Sequence, residues 1–138
     1  MVHAKNEPQV VIERWVAAMD AHDIEAAAAC FAENYRDEKP TRPGQDFQGR
    51  DRVRKNFSAL FAEIPDLKAQ LLGAVTDAGT VWMEWRMSGT RTDGTRFAFA
   101  GVNLFGVDEG VITWGRIYSD LVQETGDIDA QIERMTKG

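Results

Sequence analysis

The last apolar segment of the chain, GVITWGRIYSD (residues 110–120), places three chemically able side chains at every second position. Arg116, Tyr118 and Asp120 alternate in this way, so a β-strand would project all three from one face. If that face lines a cavity, they can form a charge-assisted network in which Asp120 carries the proton. A solvent-facing side and a subunit interface are the other interpretations, and Trp114 on the same face argues against full exposure.

A second acid, Asp37, lies in the short segment NYRDE (residues 34–38). In an apolar pocket, desolvation would raise its pKa toward neutrality, and the carboxylate could remove a proton from a carbon beside a carbonyl group. The alternative is a surface acid that pairs with Arg36 or Lys39.

The segment VWMEWRM (residues 81–87) also alternates, with Glu84 and Arg86 on one face. Cross-strand ion pairs are the simplest explanation of these two charges. The opposite face is apolar and predicts a core or a pocket wall, formed by Val81, Met83, Trp85 and Met87.

The period of the apolar residues changes from helical to alternating at Pro65. Before it, the pattern predicts a helix around Val11, Trp15 and Met19, then helices over residues 24–34 and 51–64, with a short strand at 34–38. After it, strands over residues 67–76, 81–90, 96–107 and 111–122 are joined by short turns. The tail from residue 127 is weakly helical. We therefore expect an α+β fold, with three N-terminal helices packed on a curved antiparallel sheet.

Composition limits the functional classes. A chain of 138 residues has the length of one domain, and its 43% hydrophobic content suits a globular core. The net charge of −6 argues against binding of nucleic acid or anionic membranes. No apolar run is long enough to span a bilayer, and the first ten residues lack the apolar region of a signal peptide, so we expect a cytoplasmic protein.

Three longer segments resemble the nuclear transport factor 2-like superfamily, which includes ketosteroid isomerase, the SnoaL-like polyketide cyclases and limonene-epoxide hydrolase. They are AMDAHDIEAAAACFAENY, GRDRVRKNFSALFAEIPDLKAQL and VWMEWRMSGTRTDGTRFAFAGVNLFGVDEGVITWGRIYSD, within a match over about residues 9–122. The resemblance implies a single SnoaL-like domain over residues 1–138, with a cone-shaped fold and one deep, mostly apolar pocket.

The resemblance to the isomerases also implies roles for particular residues. Asp37 falls at the place of the general base, and Trp15 and Asn103 fall at the two places of the oxyanion hole. An indole and an amide can both donate a hydrogen bond there, although more weakly than the isomerase pair.

The epoxide-hydrolase pattern fits less well. Asp120 falls on its late aspartate, but the places of its Arg-x-Asp pair hold Trp85 and Met87, or Arg86 and Ser88 in a shifted register. This mismatch argues against an epoxide hydrolase of the known type. The cyclases also place an acid late on this strand, so Asp120 is compatible with them.

The sequence and the resemblance together predict a cofactor-independent enzyme that transfers a proton on a small hydrophobic substrate. It would be an isomerase, a cyclase-type lyase or an epoxide hydrolase-like hydrolase. Asp37 or Asp120 would be the base and Asn103 would polarise an oxygen. The expected substrate-binding residues are Trp15, Phe57, Phe61, Trp85, Phe99, Arg116 and Tyr118.

With two histidines and no acid cluster near them, we expect no metal site. We expect a homodimer formed through the outer face of the sheet. The alternative function is a non-catalytic domain that binds a small apolar ligand or serves in protein interaction.

Overall fold

The computed structural model of this protein describes residues 7–137. Its helices are α1 (Pro8–Asp20), α2 (Ile24–Ala29), α3 (Arg50–Glu63) and α4 (Ile128–Lys137). Pro8 opens α1, where its missing N–H has no helical partner to lose. Asp23 caps α2 as its type predicts, because Oδ1 accepts a hydrogen bond of 3.1 Å from the backbone N–H of Ala26.

The strands within residues 7–137 form one sheet in the order β2-β1-β6-β5-β4-β3, with β7 paired to β5. Their bounds are β1 (Phe31–Glu38), β2 (Phe47–Gln48), β3 (Lys68–Asp77), β4 (Thr80–Thr90), β5 (Arg96–Asp108), β6 (Val111–Ile117) and β7 (Asp120–Leu121). The predicted antiparallel meander is confirmed from β3 to β6. The sheet is nevertheless mixed rather than wholly antiparallel, since β1 runs parallel to β6.

The second helix is shorter than predicted. It ends at Ala29, and β1 begins at Phe31, inside the stretch whose alanines favour a helix. Phe31 and Tyr35 are each only 2% exposed in this strand. Burial of these two rings against the sheet therefore overrides the local helical preference.

Trp15 of α1 lies at the centre of the core between the helices and the sheet. Its ring centroid lies 4.8 Å from that of Trp85 on β4 and 5.3 Å from that of Phe105 on β5. Phe31 and Phe57 complete the cluster, at 5.6 Å and 6.1 Å. A single aromatic cluster thus joins α1, α3 and three strands.

Apolar side chains remain exposed on two surfaces. Val75 on β3 and its cross-strand neighbour Trp82 on β4 are 66% and 48% exposed on the outer face of the sheet. The homodimer expected through this face stays a prediction.

The second surface is α4, which confirms the predicted helical tail. Ile128, Ile132 and Met135 stand exposed along it. No helix in residues 7–137 combines the length and the apolar character needed to cross a membrane.

Gly115 on β6 provides a test of the packing between β1 and the sheet. A Cβ atom there would clash with the Tyr35 hydroxyl and lie 2.8 Å from Cε1 of Phe105. We predict that Gly115→Ala lowers the free energy of unfolding by about 1–3 kcal/mol, measured by urea denaturation, because the core is overpacked.

Gly73→Ala is the matched control, because a Cβ at this strand glycine meets no atom within 4 Å. Its effect should stay within about 0.5 kcal/mol. Equal losses in the two variants would contradict the packing described for Gly115.

Candidate functional site

A cavity of about 310 Å³ lies between the helices and the inner face of the sheet. Most of its wall is aromatic or aliphatic. The apolar lining consists of Trp15, Phe31, Phe47, Val53, Phe57, Leu60, Trp85, Met87, Phe97, Phe99, Phe105, Ile117 and Leu121. The polar groups are few, which is the usual composition of a small-molecule pocket. They are Tyr35, Asp37, Lys39, Asn56, Asn103 and Ser119.

Asp37 of β1 is 6% exposed and lines this cavity. Tyr35 Oη donates a hydrogen bond of 2.6 Å to its Oδ1, and Lys39 Nζ donates to its Oδ2. Tyr35 and Asp37 alternate along β1 and Lys39 follows directly after its end, so this extended backbone brings the three side chains to one face. Both carboxylate oxygens are therefore held in place, and each keeps a further lone pair for another donor.

Burial raises the pKa of Asp37 above its ordinary value, because the charged form loses its hydration. The hydrogen bonds from Lys39 and Tyr35 oppose that effect, while the nearby charge of Asp46 adds to it. Burial also raises the pKa of Tyr35, and the neighbouring Asp37 carboxylate raises it further. The site therefore holds a buried carboxylate of increased basicity beside a phenol that keeps its proton.

Asn103 of β5 is the second polar group of the wall and is 1% exposed. Its Oδ1 accepts hydrogen bonds from the backbone N–H groups of Tyr118 and Ser119, each at 3.2 Å. Ser119 Oγ donates to the same oxygen at 2.9 Å and accepts from Trp85 Nε1 at 3.2 Å. Because two backbone donors fix Oδ1, the other amide atom must be the NH₂ group, which finds no acceptor among residues 7–137.

Trp15 also lines the cavity, but its indole N–H is buried and has no hydrogen-bond partner in the described part of the chain. An unsatisfied buried donor costs on the order of 1–3 kcal/mol. Trp15 thus contributes its ring to the wall, and its N–H is a donor that the folded chain leaves unused.

The predicted orientation of the last long strand is wrong at its end. Opposite Gly106 and Val107 of β5 stand Trp114 and Ile112 of β6, so Thr113 is an extra residue that forms a β-bulge. A single inserted residue exchanges the two faces of a strand. Beyond the bulge the odd-numbered side chains face the cavity, and the lining includes Ile117, Ser119 and Leu121.

Arg116, Tyr118 and Asp120 consequently lie outside the cavity. The Arg116 guanidinium lies 5.3 Å from the ring of Trp114 and 3.6 Å from Glu38. Tyr118 is 48% exposed. Asp120 forms an ion pair of 2.8 Å with Arg42 Nε and is 43% exposed. The charge network expected around the three residues in a pocket is therefore not formed.

Of the other residues expected to form the cavity wall, three lie in it and one does not. Phe57 on α3, Trp85 on β4 and Phe99 on β5 line the cavity. Phe61 lies one turn beyond Phe57 and instead stacks on the His22 ring, with centroids 4.8 Å apart. The His22 ring is fixed by a hydrogen bond of 2.7 Å between Nε2 and the carbonyl of Leu67.

Sequence reasoning missed Tyr35, Asn56 and Ser119 as polar residues of the cavity wall, and it named Lys39 only as a possible partner of a surface-exposed Asp37. Tyr35 and Lys39 flank Asp37 at a spacing of two, and this alternation could have placed them beside it. Ser119 had no such signal, because the bulge at Thr113 reverses the face that a regular strand would give it.

The model of the SnoaL-like domain family matches residues 12–114. The chain belongs to this family. The match covers most of α1 and continues through β5 into β6, so it includes Asp37 and Asn103. No curated protein matches the sequence of this SnoaL-like domain.

Solved structures establish the fold independently. Wild-type IdmH, a putative polyketide cyclase from Streptomyces antibioticus, is 21% identical with a TM-score of 0.71, over 83% of this chain and 92% of IdmH. Bal32a, from a soil-derived mobile gene cassette, is 23% identical with a TM-score of 0.71, over 87% of this chain and 93% of Bal32a.

A nuclear transport factor 2-like protein of unknown function from Cytophaga hutchinsonii is 15% identical with a TM-score of 0.64, over 86% of this chain and 95% of that protein. The predicted superfamily is therefore confirmed, and the SnoaL-like domain has the α+β cone fold that the resemblance implied.

The buried carboxylate predicts a specific dependence of stability on pH. A carboxyl group with a raised pKa binds its proton more tightly in the folded state. Its stabilising contribution is present below the unfolded-state pKa and is lost as the pH rises through the folded-state pKa. Relative to Asp37→Asn, which cannot titrate, the wild type should therefore lose stability between about pH 3 and pH 7.

Urea unfolding of both proteins across this range measures the difference, and a tenfold change in proton affinity corresponds to about 1.4 kcal/mol. Asp77→Asn, at the exposed end of β3, controls for the loss of one negative charge. A wild type that gains stability over Asp37→Asn as the pH rises would show that the pKa of Asp37 is lowered instead.

Proposed function

We propose that this SnoaL-like domain is a cofactor-independent enzyme that moves a proton on a small apolar carbonyl compound, with Asp37 as the base. The observation that supports this most is a single buried carboxylate, of raised pKa, in the wall of an otherwise mostly apolar cavity. A general base is most effective when its pKa approaches the working pH, and burial moves Asp37 in that direction.

The reaction needs three changes in bonding. An Asp37 oxygen takes a proton from the carbon beside the carbonyl, and the electrons of that C–H bond pass to the carbonyl oxygen to form an enolate. In an isomerisation, Asp37 returns the proton to another carbon of the conjugated system. In a cyclisation, the enolate carbon attacks a second carbonyl group of the same molecule, and the proton goes to the oxygen of that group.

Asn103 is the proposed donor to the enolate oxygen. Its Oδ1 is occupied by three donors, so its amide is held rigidly and the NH₂ group is left for a ligand. A donor fixed in advance stabilises developing charge without reorganising during the reaction. Ser119 then acts as a positioning residue, since its hydroxyl donates to Oδ1 of Asn103, and Trp85 supports it by donating to that hydroxyl.

Asp120 is not proposed as the base. It pairs with Arg42 and is not part of the cavity wall, so it does not face a ligand held there. Of the two candidate bases suggested by the sequence, Asp37 is therefore the one that we propose.

The second candidate is a non-catalytic binding domain, and one contact favours it. Lys39 Nζ donates a hydrogen bond to Asp37 Oδ2. A cation in this position stabilises the charged form of the carboxyl group and makes the carboxylate a weaker base. In that case the cavity would hold an apolar molecule without changing it.

Deuterium exchange separates the two functions without requiring the natural substrate. 2-Tetralone is an apolar ketone whose C1 protons are acidified by both the carbonyl and the aromatic ring. We predict that the wild type accelerates exchange at C1 in D₂O over buffer, measured by mass spectrometry. Asp37→Asn should lower this catalysed rate by about 10²–10⁴-fold.

Asp77→Asn is the matched control and should exchange at the wild-type rate, because Asp77 ends β3 in an exposed position. Unchanged exchange in Asp37→Asn would overturn the assignment of the base. A wild type that binds 2-tetralone, by a shift in melting temperature, yet exchanges it no faster than buffer would favour the binding function.

A further inference from the structure

A recess of about 300 Å³ on the protein surface is lined by three arginines, Arg42, Arg91 and Arg96. The rest of its lining consists of the apolar residues Ala98, Leu121 and Val122, together with Gln123 and Glu124. The chain has a net charge of −6, so a cluster of three positively charged guanidinium groups is opposite in sign to the protein as a whole.

The recess adjoins the cavity of the candidate site. Leu121 belongs to the lining of both. Phe97 belongs to the cavity wall, and the Arg91 guanidinium lies over its ring, 5.6 Å from the centroid. Leu121 and Phe97 therefore mark where the recess and the cavity adjoin.

Each arginine of the recess has a carboxylate near it. Asp120 pairs with Arg42 at 2.8 Å, and Glu124 lies 3.6 Å from Arg96. Arg91 makes no ion pair in residues 7–137 and instead donates to Thr95 Oγ1 and to the carbonyl of Arg96. The charge of Arg91 also contributes to lowering the pKa of Asp93, so three carboxylates lie near the three guanidinium groups.

The guanidinium groups also keep unused hydrogen-bonding capacity. Each has five N–H donors, arranged as a planar fork that matches a carboxylate. Arg42 and Arg96 have side chains that are 50% and 74% exposed, so a ligand can reach them.

We propose that the recess binds the carboxylate of a ligand whose apolar part occupies the cavity. The substrate class is then an amphipathic carbonyl compound with an acidic tail, rather than a neutral hydrocarbon-like molecule. This inference rests on the proposed function to the extent that the cavity must hold a ligand. It does not require Asp37 to be a catalyst.

A matched pair of fluorescent probes tests the proposal. 11-(Dansylamino)undecanoic acid has an apolar ring system and chain with a terminal carboxylate, and its methyl ester differs only in lacking the charge. Titration of dansyl emission should give an acid bound about 10-fold more tightly than the ester, since exposed ion pairs each contribute a few-fold in affinity. About 0.5 M NaCl should reduce this preference by screening.

Substitutions in the recess should change the affinities for the acid and for the ester by different amounts. The double variant Arg91→Gln/Arg96→Gln should bind the ester as the wild type does and lose the preference for the acid. Asp120→Asn should strengthen acid binding, because Arg42 loses its competing carboxylate. Arg134→Gln/Lys137→Gln on α4 removes the same two charges from another element and should leave both affinities unchanged.

Equal affinities of the wild type for the acid and the ester would overturn the proposal. An arginine variant whose affinities for the acid and the ester fall by the same factor would overturn it as well. If neither probe binds, the inference also fails. The 2-tetralone exchange then shows independently whether the proposed catalysis survives.

Discussion

The structure of this site depends on one unfavourable placement, a carboxylate buried in a mostly apolar cavity. Asp37 bears that cost because Tyr35 on β1 and Lys39 just after it each give one of its oxygens a hydrogen bond. The two effects act on the pKa in opposite directions, and burial is the larger. The balance leaves a carboxylate that is anchored but more basic than one in water, which is what proton abstraction beside a carbonyl requires.

Much of the fold could be predicted because local chemistry and tertiary structure agree. The helical period before Pro65 corresponds to α1 and α3, the alternating period after it corresponds to β3 to β6, and Asp23 caps the helix that it precedes. The predicted end of the second helix was wrong, because pairing between distant strands determines the structure there. Phe31 follows an alanine-rich helix, and its place in a strand depends on β6, about eighty residues later in the chain.

The candidate site was predicted to a similar extent and for similar reasons. Asp37 and Asn103 reach one cavity, as the resemblance implied, because β1 pairs in register with β6 from Arg36 to Glu38 and β5 pairs with β4 without a register shift. Arg116, Tyr118 and Asp120 do not, because Thr113 forms a bulge that alternation cannot reveal. The same bulge turns Ser119 inward to hold Asn103 and leaves Asp120 beside Arg42.

The measurement that tests the central claim most directly is an NMR titration of the Asp37 side-chain carboxyl carbon in the folded protein. The signal is assigned by its absence from the spectrum of Asp37→Asn. Burial in the cavity predicts a pKa above the ordinary value of 3.8. A pKa at or below 3.8 would contradict it, because the ion pair with Lys39 would then outweigh desolvation and the basicity assigned to this site would be absent.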